Sequence, residues 1–336
     1  MSKLMEEQIR PAEMMKDKQQ CIDWDREFLL ANRARWVSTN CPACDAAAFQ
    51  EFGSKDGCTF VECTACQTIY TNPRPSVALL HDFYAKSKNY AYWNTHIFPA
   101  TEAARREQIF RPRAKRLTQY CKRFGFTGGT LIEIGAAFGT FCAEIREHQV
   151  FDHVVALEAT PALAQTCRDR GLKVMECFAE DVNDDGIADV VASFEVIEHL
   201  FSPGQFVRTC HRLLRPGGLL VLSCPNGRGF DVAALREASS TFGHEHLNYF
   251  NPASLAKLVE RCGFATLDLE TPGELDAELV RKQVVAGRYD VSDQPFLREV
   301  LLERWQELGG PFQRFLAAHR LSSHLWIVAR KVESEA

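Results

Sequence analysis

Between residues 130 and 224 short apolar runs alternate with segments of helical period, the signature of strands buried on both faces by helices. Thr130–Ile134 is the first run, followed by Gly135-Ala-Ala-Phe-Gly139 and a helix-compatible segment, Phe141 to His148. Val154–Leu157 is the second run and ends at Glu158; Asp189–Phe194 is the third. Leu213-Leu-Arg-Pro-Gly-Gly218 reads as a helix end and a turn, and Leu219–Ser223 as the strand after it. Ala265–Glu270 and Ser323–Ala329 supply two more strands, the last closing the sheet as an antiparallel hairpin. Residues 292–320 read as an inserted helical pair, and Thr271–Asp276 as a loop over the site.

The first half is patterned differently. Residues 1–38 form a polar helical arm with Trp24, Phe28, Leu29 and Leu30 available for docking, onto the same chain or onto a second copy. Cys41-Pro-Ala-Cys44 and Cys63-Thr-Ala-Cys66 follow, with short strands between them. Two such knuckles point four thiolates at one place, a set that suits tetrahedral, structural zinc with no open position. A redox pair or simple packing cysteines is the plainer alternative. A module this small buries too little to fold without the metal. Pro73-Arg-Pro75 ends it; Ser76 caps a helix from Val77 to Lys86; Asn89–Trp93 is an aromatic cluster, a pocket wall or interdomain packing. A long basic helix, Thr101 to Phe124, reads as a solvated face. The domains expected are an arm (1–38), a ribbon (39–75), connecting helices (76–128) and an α/β domain (129–336) with an insertion near 280–320.

With 46% hydrophobic and 25% charged residues and a net charge of −5, the chain has the balance of a globular protein without general attraction for nucleic acid. The ribbon is acidic: Asp45, Glu51, Asp56 and Glu62 against Lys55, which speaks against RNA. The start of the chain has no apolar stretch of signal-peptide type, and no run reaches the ~18 residues of a membrane span. Thirteen cysteines, most of them single and set in apolar segments, fit a reducing, cytoplasmic setting.

Glu133-x-Gly135-x-x-x-Gly139, the strand-end Glu158 and "LLRPGG" before a strand occur in order and at the right spacing. In these features the chain resembles the class I S-adenosylmethionine-dependent methyltransferases over about residues 100–336. The resemblance implies an α/β fold, a Rossmann-like seven-stranded methyltransferase sheet, here with a small N-terminal zinc ribbon. It also implies cofactor contacts. Gly135, Ala137 and Gly139 would bring backbone to the methionine moiety, Glu133 would hold its amino group, and Glu158 both ribose hydroxyls. Phe178 and Ala179 would meet the adenine, in place of an acid frequent in the family at Phe178, and Phe194 would lie beside the sulfonium.

Two acid–histidine stretches offer acceptor chemistry, Glu195-Val-Ile-Glu198-His199 and His244-Glu245-His246. If the first is helical, Glu195 and Glu198 share a face. Its pattern resembles the metal site of small-RNA 2′-O-methyltransferases. That implies Mg²⁺ or a similar ion on Glu195, Glu198, His199 and His246 or His244, although the motif is also common without metal. The second, with the ribbon, resembles zinc-ribbon methyltransferases of sugars, and implies His246 as base with Glu245 beside it. Those that methylate carbon carry a further motif near the ribbon, where this chain reads Asn72-Pro-Arg-Pro75. The plainer alternative is that both histidines only anchor the next helix. The expectation is O-methylation of a small sugar-like acceptor, with C-methylation of a keto sugar or metal-dependent RNA methylation as alternatives. Glu274, Asp276 and His324 are further polar candidates.

Overall fold

The buried apolar runs pair into one seven-stranded sheet. Its strands are β1 (Thr130–Ile134), β2 (His153–Leu157), β3 (Lys173–Met175), β4 (Ala188–Phe194), β5 (Leu214–Pro225), β6 (Phe264–Glu270) and β7 (His324–Lys331). Their order is β6-β7-β5-β4-β1-β2-β3, all parallel except β7, which runs antiparallel to both its neighbours. A computed structural model describes residues 6–332. The first five residues of the expected arm and the last four of the expected α/β domain lie outside the described residues. Among these, no helix is long and apolar enough to cross a membrane.

Several expectations change on contact with the structure. The edge strand β3 was not foreseen, since it is three residues long and half-buried. Pro216-Gly-Gly218 is an irregularity inside β5 rather than a turn before it, with Gly217 at φ +73°. A Cβ on Gly218 would lie 3.0 Å from the carbonyl oxygens of Arg215 and Asp189, so only glycine keeps the bulge against β4. The basic helix is broken into Phe98–Arg105 and Arg111–Phe124 by a wide π turn, Arg106–Phe110. Another π turn, Trp93–Ile97, precedes Phe98-Pro99. Each wide turn comes just before a proline that has no N–H for the regular ladder. The insertion holds three helical stretches, Asp276–Val285, Pro295–Glu303 and Trp305–Ala318, around Val280, Leu301 and Leu316. It begins earlier than the expected pair. Asp276 is fully buried, accepts from Ser322 Oγ and Gln313 Nε2, and starts a helix where a loop was expected.

The cysteine module is stitched into the large domain. Its antiparallel sheet runs Phe49–Lys55, Cys58–Cys63, Ile69–Thr71 and then Asn248–Tyr249, a two-residue strand from the loop after β5. The arm is the helix Ala12–Ala31 preceded by a short turn of helix. Its apolar side chains dock within the same chain. Leu29 is buried with Phe60, Leu79 and Phe83, and Trp24 stacks on Phe28.

Arg74 joins the two parts. It is 1% exposed and has carbonyls, not a carboxylate, as partners. Its Nε donates to Thr71 O (3.1 Å), Nη1 to Asn248 Oδ1 (3.0 Å) and Phe201 O (3.2 Å), and Nη2 to Leu247 O (3.3 Å). Burial draws its pKa down to about 10, so it stays charged at neutral pH. Asn248 Nδ2 carries the link on, to the carbonyls of Ile197, Glu198 and Leu200. Arg74→Met would take a donor from each of these acceptors, of which Leu247 O still receives Thr71 N at 3.0 Å. We expect a loss of about 3 kcal/mol or more in urea unfolding. A change below about 0.5 kcal/mol would show the network to be dispensable.

Candidate active site

The turn after β1 is built for close backbone approach. Gly135 and Gly139 have φ +77° and +67°, and Ala137 between them has φ +49°. A Cβ on Gly135 would come within 2.7 Å of Val196 Cγ2, and one on Gly139 within 2.6 Å of Leu172 Cδ1. Glu158, just past β2, accepts from Ala137 N and Thr160 N, each at 2.8 Å and each on a different oxygen. Two amides fill half of a carboxylate's acceptor sites, which leaves capacity for two hydroxyls. Glu133 lies beneath the turn and accepts from Cys142 Sγ at 3.0 Å. Burial pushes its carboxyl up to about 8, against the opposing pull of that thiol and of Arg113.

Phe194 ends β4 and stacks on Trp326 at 5.2 Å. Its ring already carries a cation, the Arg113 guanidinium at 4.4 Å. The expectation of a wholly solvated basic helix therefore fails at Arg113. The signal was present, since Arg113 precedes buried Leu117 by four residues and so lies on the apolar face of its helix. Phe178 is 57% exposed and stacks parallel on His81, 5.8 Å away, while Ala179 beside it is buried.

The two acid–histidine stretches meet at the C-terminal rim of the sheet, but not as the helical pattern implied. Glu195 has φ +57° and lies outside the 3₁₀ turn Ile197–His199. Its carboxylate turns from Glu198 to Ser223 Oγ (2.6 Å), His324 Nε2 (3.4 Å) and Arg113 (4.0 Å). His324, Arg113 and Ser223 hold Glu195 well below the usual carboxylate range in spite of its burial. The shared-face expectation for Glu195 and Glu198 is thus corrected by a left-handed backbone turn between them.

What comes together is Glu198, His199 and His246, with one ligand-type atom from each within 4.8 Å of the others. His199 Nδ1 lies 2.9 Å from Glu245 O, and His246 Nδ1 lies 2.9 Å from Thr241 O. Carbonyls only accept, so both rings carry the proton on Nδ1 and keep a lone pair on Nε2. Glu198 is 1% exposed and its Oε2 has no partner. Burial, reinforced by Glu195, raises the Glu198 pKa well above its ordinary value. Burial also depresses both imidazoles, His199 to about 3, so both are neutral.

His244 stands apart from this group. It packs edge-on against Phe83, with Nε2 4.0 Å from Glu245 Oε1. Glu245 accepts from Asn89. Of the aromatic cluster, Tyr90 packs against the core that holds Phe60 and Phe83 and brings its Oη to 3.4 Å from His199 Nδ1. Asn251 and Ser254 make the capping box of the next helix, so neither histidine caps it. Glu274 is exposed, and Asp276 belongs to the buried anchor of the insertion.

Sheet order, glycine turn and strand-end acid together define a Rossmann-like nucleotide-binding architecture with its site on the C-terminal rim. A family model described as a methyltransferase domain matches residues 103–269. A probable S-adenosylmethionine-dependent methyltransferase of Mycolicibacterium smegmatis is 39% identical over 84 residues, 25% of this chain and 31% of that protein. A ubiquinone biosynthesis O-methyltransferase of Xylella fastidiosa is 25% identical over 173 residues, 46% of this chain and 68% of that protein. The chain thus spans about a third of the first relative and about two thirds of the second. Among solved structures, the Burkholderia thailandensis 1,6-didemethyltoxoflavin-N1-methyltransferase covers 80% of this chain and 98% of its own, at 15% identity and a TM-score of 0.48. The chain carries a class I S-adenosylmethionine-dependent methyltransferase domain.

Glu133 gives this site a pH signature. Its pKa is about 8 in the folded protein against an ordinary 4.5, so folding retains a proton that the unfolded chain releases. Stability should therefore fall as pH rises from 4.5 towards 8, and level off above that. Glu133→Gln removes the titration. Its stability relative to the unsubstituted protein should rise steadily from pH 5 to pH 8 in denaturant titrations, and a flat or falling difference would refute the assignment.

Proposed function

We propose that the protein transfers a methyl group from S-adenosylmethionine to a hydroxyl of a small hydroxylated acceptor, a sugar or sugar nucleotide, with His246 as general base. The observation that carries this is the His246 ring. Its Nδ1–H is fixed on Thr241 O and burial keeps it neutral, so Nε2 is free to take a proton. In the step, the acceptor oxygen attacks the methyl carbon in line while Nε2 takes the hydroxyl proton. The carbon–sulfur bond breaks, its electron pair stays on sulfur, and the sulfonium becomes a neutral thioether. Glu133, Gly135, Ala137, Gly139 and Glu158 would hold the donor, and Phe178 and Ala179 would flank its adenine. Phe194, with Arg113 over its ring, would border the sulfonium. Glu245 would orient the loop and acceptor beside His246. The O-methyltransferase named among the relatives favours oxygen over carbon as the acceptor atom.

A second reading draws on Glu198. Its orphaned oxygen and the two free Nε2 atoms suit a divalent cation such as Mg²⁺ or Mn²⁺. When bound, such an ion would make a coordinated hydroxyl more acidic. Glu195, turned to His324, has no part in that set.

The four ribbon cysteines fit structural zinc. Their sulfurs lie within 4.8 Å of one another, with Cys41–Cys66 at 3.4 Å and Cys44–Cys63 at 3.5 Å. A ZnS₄ tetrahedron with bonds of about 2.3 Å has edges of about 3.8 Å. We place the protein in the cytoplasm, the reducing setting that suits zinc-type cysteine knuckles and cysteines set singly among apolar residues.

His246→Gln should lower kcat by about 10²–10⁴-fold with unchanged affinity for S-adenosylhomocysteine. Equal turnover would sink the base assignment. Under the leading reading, EDTA leaves turnover intact; loss restored by Mn²⁺ would favour the second. Metal analysis should give about one zinc per chain, and Cys63→Ser should lose both zinc and cooperative unfolding. A metal-free, fully folded protein would exclude the zinc site.

A further inference from the structure

The helix Val77–Lys86 leaves the ribbon after Pro75, outside the matched residues 103–269. Leu79, Leu80 and Phe83 are buried and fix it in place, and Asp82 on its flank pairs with Arg35 at 2.8 Å. The opposite face carries Val77, His81 and Tyr84, at i, i+4 and i+7, and all three are exposed. Two of them reach the α/β domain. Tyr84 Oη donates to His199 O at 3.4 Å, and His81 stacks on Phe178. The helix therefore spans from the acceptor cluster to the loop after β3.

That loop starts beside the candidate ribose carboxylate, since Glu158 N donates to Met175 O at 3.0 Å. Ala179 is buried and opens the 3₁₀ turn Ala179–Asp181. The backbone at Phe178 is extended, with φ −73° and ψ 154°, so its ring points away from Ala179 and into the open. The ring planes of His81 and Phe178 differ by 6° and their centroids lie 5.8 Å apart, an offset parallel stack. One face of Phe178 is thus taken. The residue is still 57% exposed, so the other face is open. An aromatic side chain on a loop loses rotamer freedom when a ligand stacks on it, and a ring already held from behind has less to lose. His81, on a helix with three buried anchors, supplies that hold. A purine on the open face would cover apolar surface and extend the stack to three rings.

We propose that His81 is a positioning residue for the adenine of the donor: it backs Phe178, and the purine stacks on the open face of that ring. This rests on the methyl-transfer reading of the site. It makes the helix that follows the ribbon a part of the donor site.

The test is calorimetric titration of the full-length protein with S-adenosylhomocysteine and with 5′-methylthioadenosine, which keeps the adenosine but lacks the amino-acid end. The variants are His81→Ala, His81→Phe, Phe178→Ala and the double substitution His81→Ala with Phe178→Ala. Phe178→Ala should weaken both ligands about tenfold or more, and His81→Ala about three- to tenfold. His81→Phe, which keeps a flat ring against Phe178, should restore both affinities. In the Phe178→Ala background His81→Ala should cause no further loss. Urea unfolding should not separate His81→Ala from the unsubstituted protein, as it would if the histidine only held the helix. Affinity of His81→Ala within twofold of the unsubstituted protein would overturn the proposal. So would a loss confined to S-adenosylhomocysteine, a loss that His81→Phe does not restore, or an equal loss in the Phe178→Ala background. No binding of S-adenosylhomocysteine to the folded, unsubstituted protein would strike the methyl-transfer reading and this proposal with it, whereas binding indifferent to His81 strikes the proposal alone.

Discussion

A buried guanidinium with no carboxylate partner is a severe constraint, and the structure turns on one. Arg74 comes from the end of the ribbon and donates to carbonyls and an amide oxygen of the large domain. Desolvating such a charge costs several kcal/mol unless every donor is met, so the acceptors must be held where the fork points. Those acceptors belong to the loops that carry the site. Leu247 and Asn248 adjoin His246, Phe201 adjoins the 197–199 turn, and Asn248 reaches back to the carbonyls of Ile197, Glu198 and Leu200. Leu247 N also donates to Glu198 O at 2.8 Å. The geometry of Glu198, His199 and His246 is thus set from outside, by a module that contributes no atom to their cluster. Burial lowers the Arg74 pKa, and Tyr70 and then Cys41, both of the ribbon, lie close enough to oppose that shift. The ribbon thus supplies the arginine, and the large domain supplies most of the acceptors that hold it.

The rim sorts two carboxylates into opposite states. Glu195 has Ser223, His324 and Arg113 around it and is held ionised. Glu198, three residues on, is buried without such partners and is held towards neutrality by burial and by the Glu195 charge. Two acids whose surroundings push their pKa values apart can divide the work, one as a fixed charge and one as a proton or cation holder. The positive φ at Glu195 is what separates them. Strain of this kind persists where the surroundings over-determine it, and here the short bond from Ser223 on the neighbouring strand does so.

How much of this could be read in advance depended on the range of the forces involved. The glycine turn, the strand-end acids and the cysteine knuckles are local, and residue type and spacing carry them. Ser76 is a local cap of the same kind, and its Oγ accepts from Leu79 N as expected. The failures are all long-range. Arg113 reads as solvated charge until Phe194 and Glu195 are known to face it. Arg74 reads as a stop signal between prolines until a strand from 248–249 is known to join the ribbon sheet. The helical period assigned to 195–199 failed because Ser223, contributed by another strand, draws the Glu195 side chain the other way. β3 was invisible because pairing with its one neighbour, β2, not its own composition, makes it a strand.

The N-terminal helix shows the same limit most sharply. Taken alone, Ala12–Ala31 is polar nearly all round and would be marginal in water. It is ordered by Leu29 in the ribbon core, by Asp25 at the start of another helix and by Lys18 on Trp93. Each of these pairs residues more than thirty positions apart in the chain. A buried aspartate and a half-buried lysine on an otherwise polar helix are costly features that a mere tether would not need. Asp25 finds its compensation in the Ser87–Asn89 turn. Lys18 is anchored differently, with its Nζ 5.0 Å from the centre of the Trp93 ring on a helix that starts far along the chain.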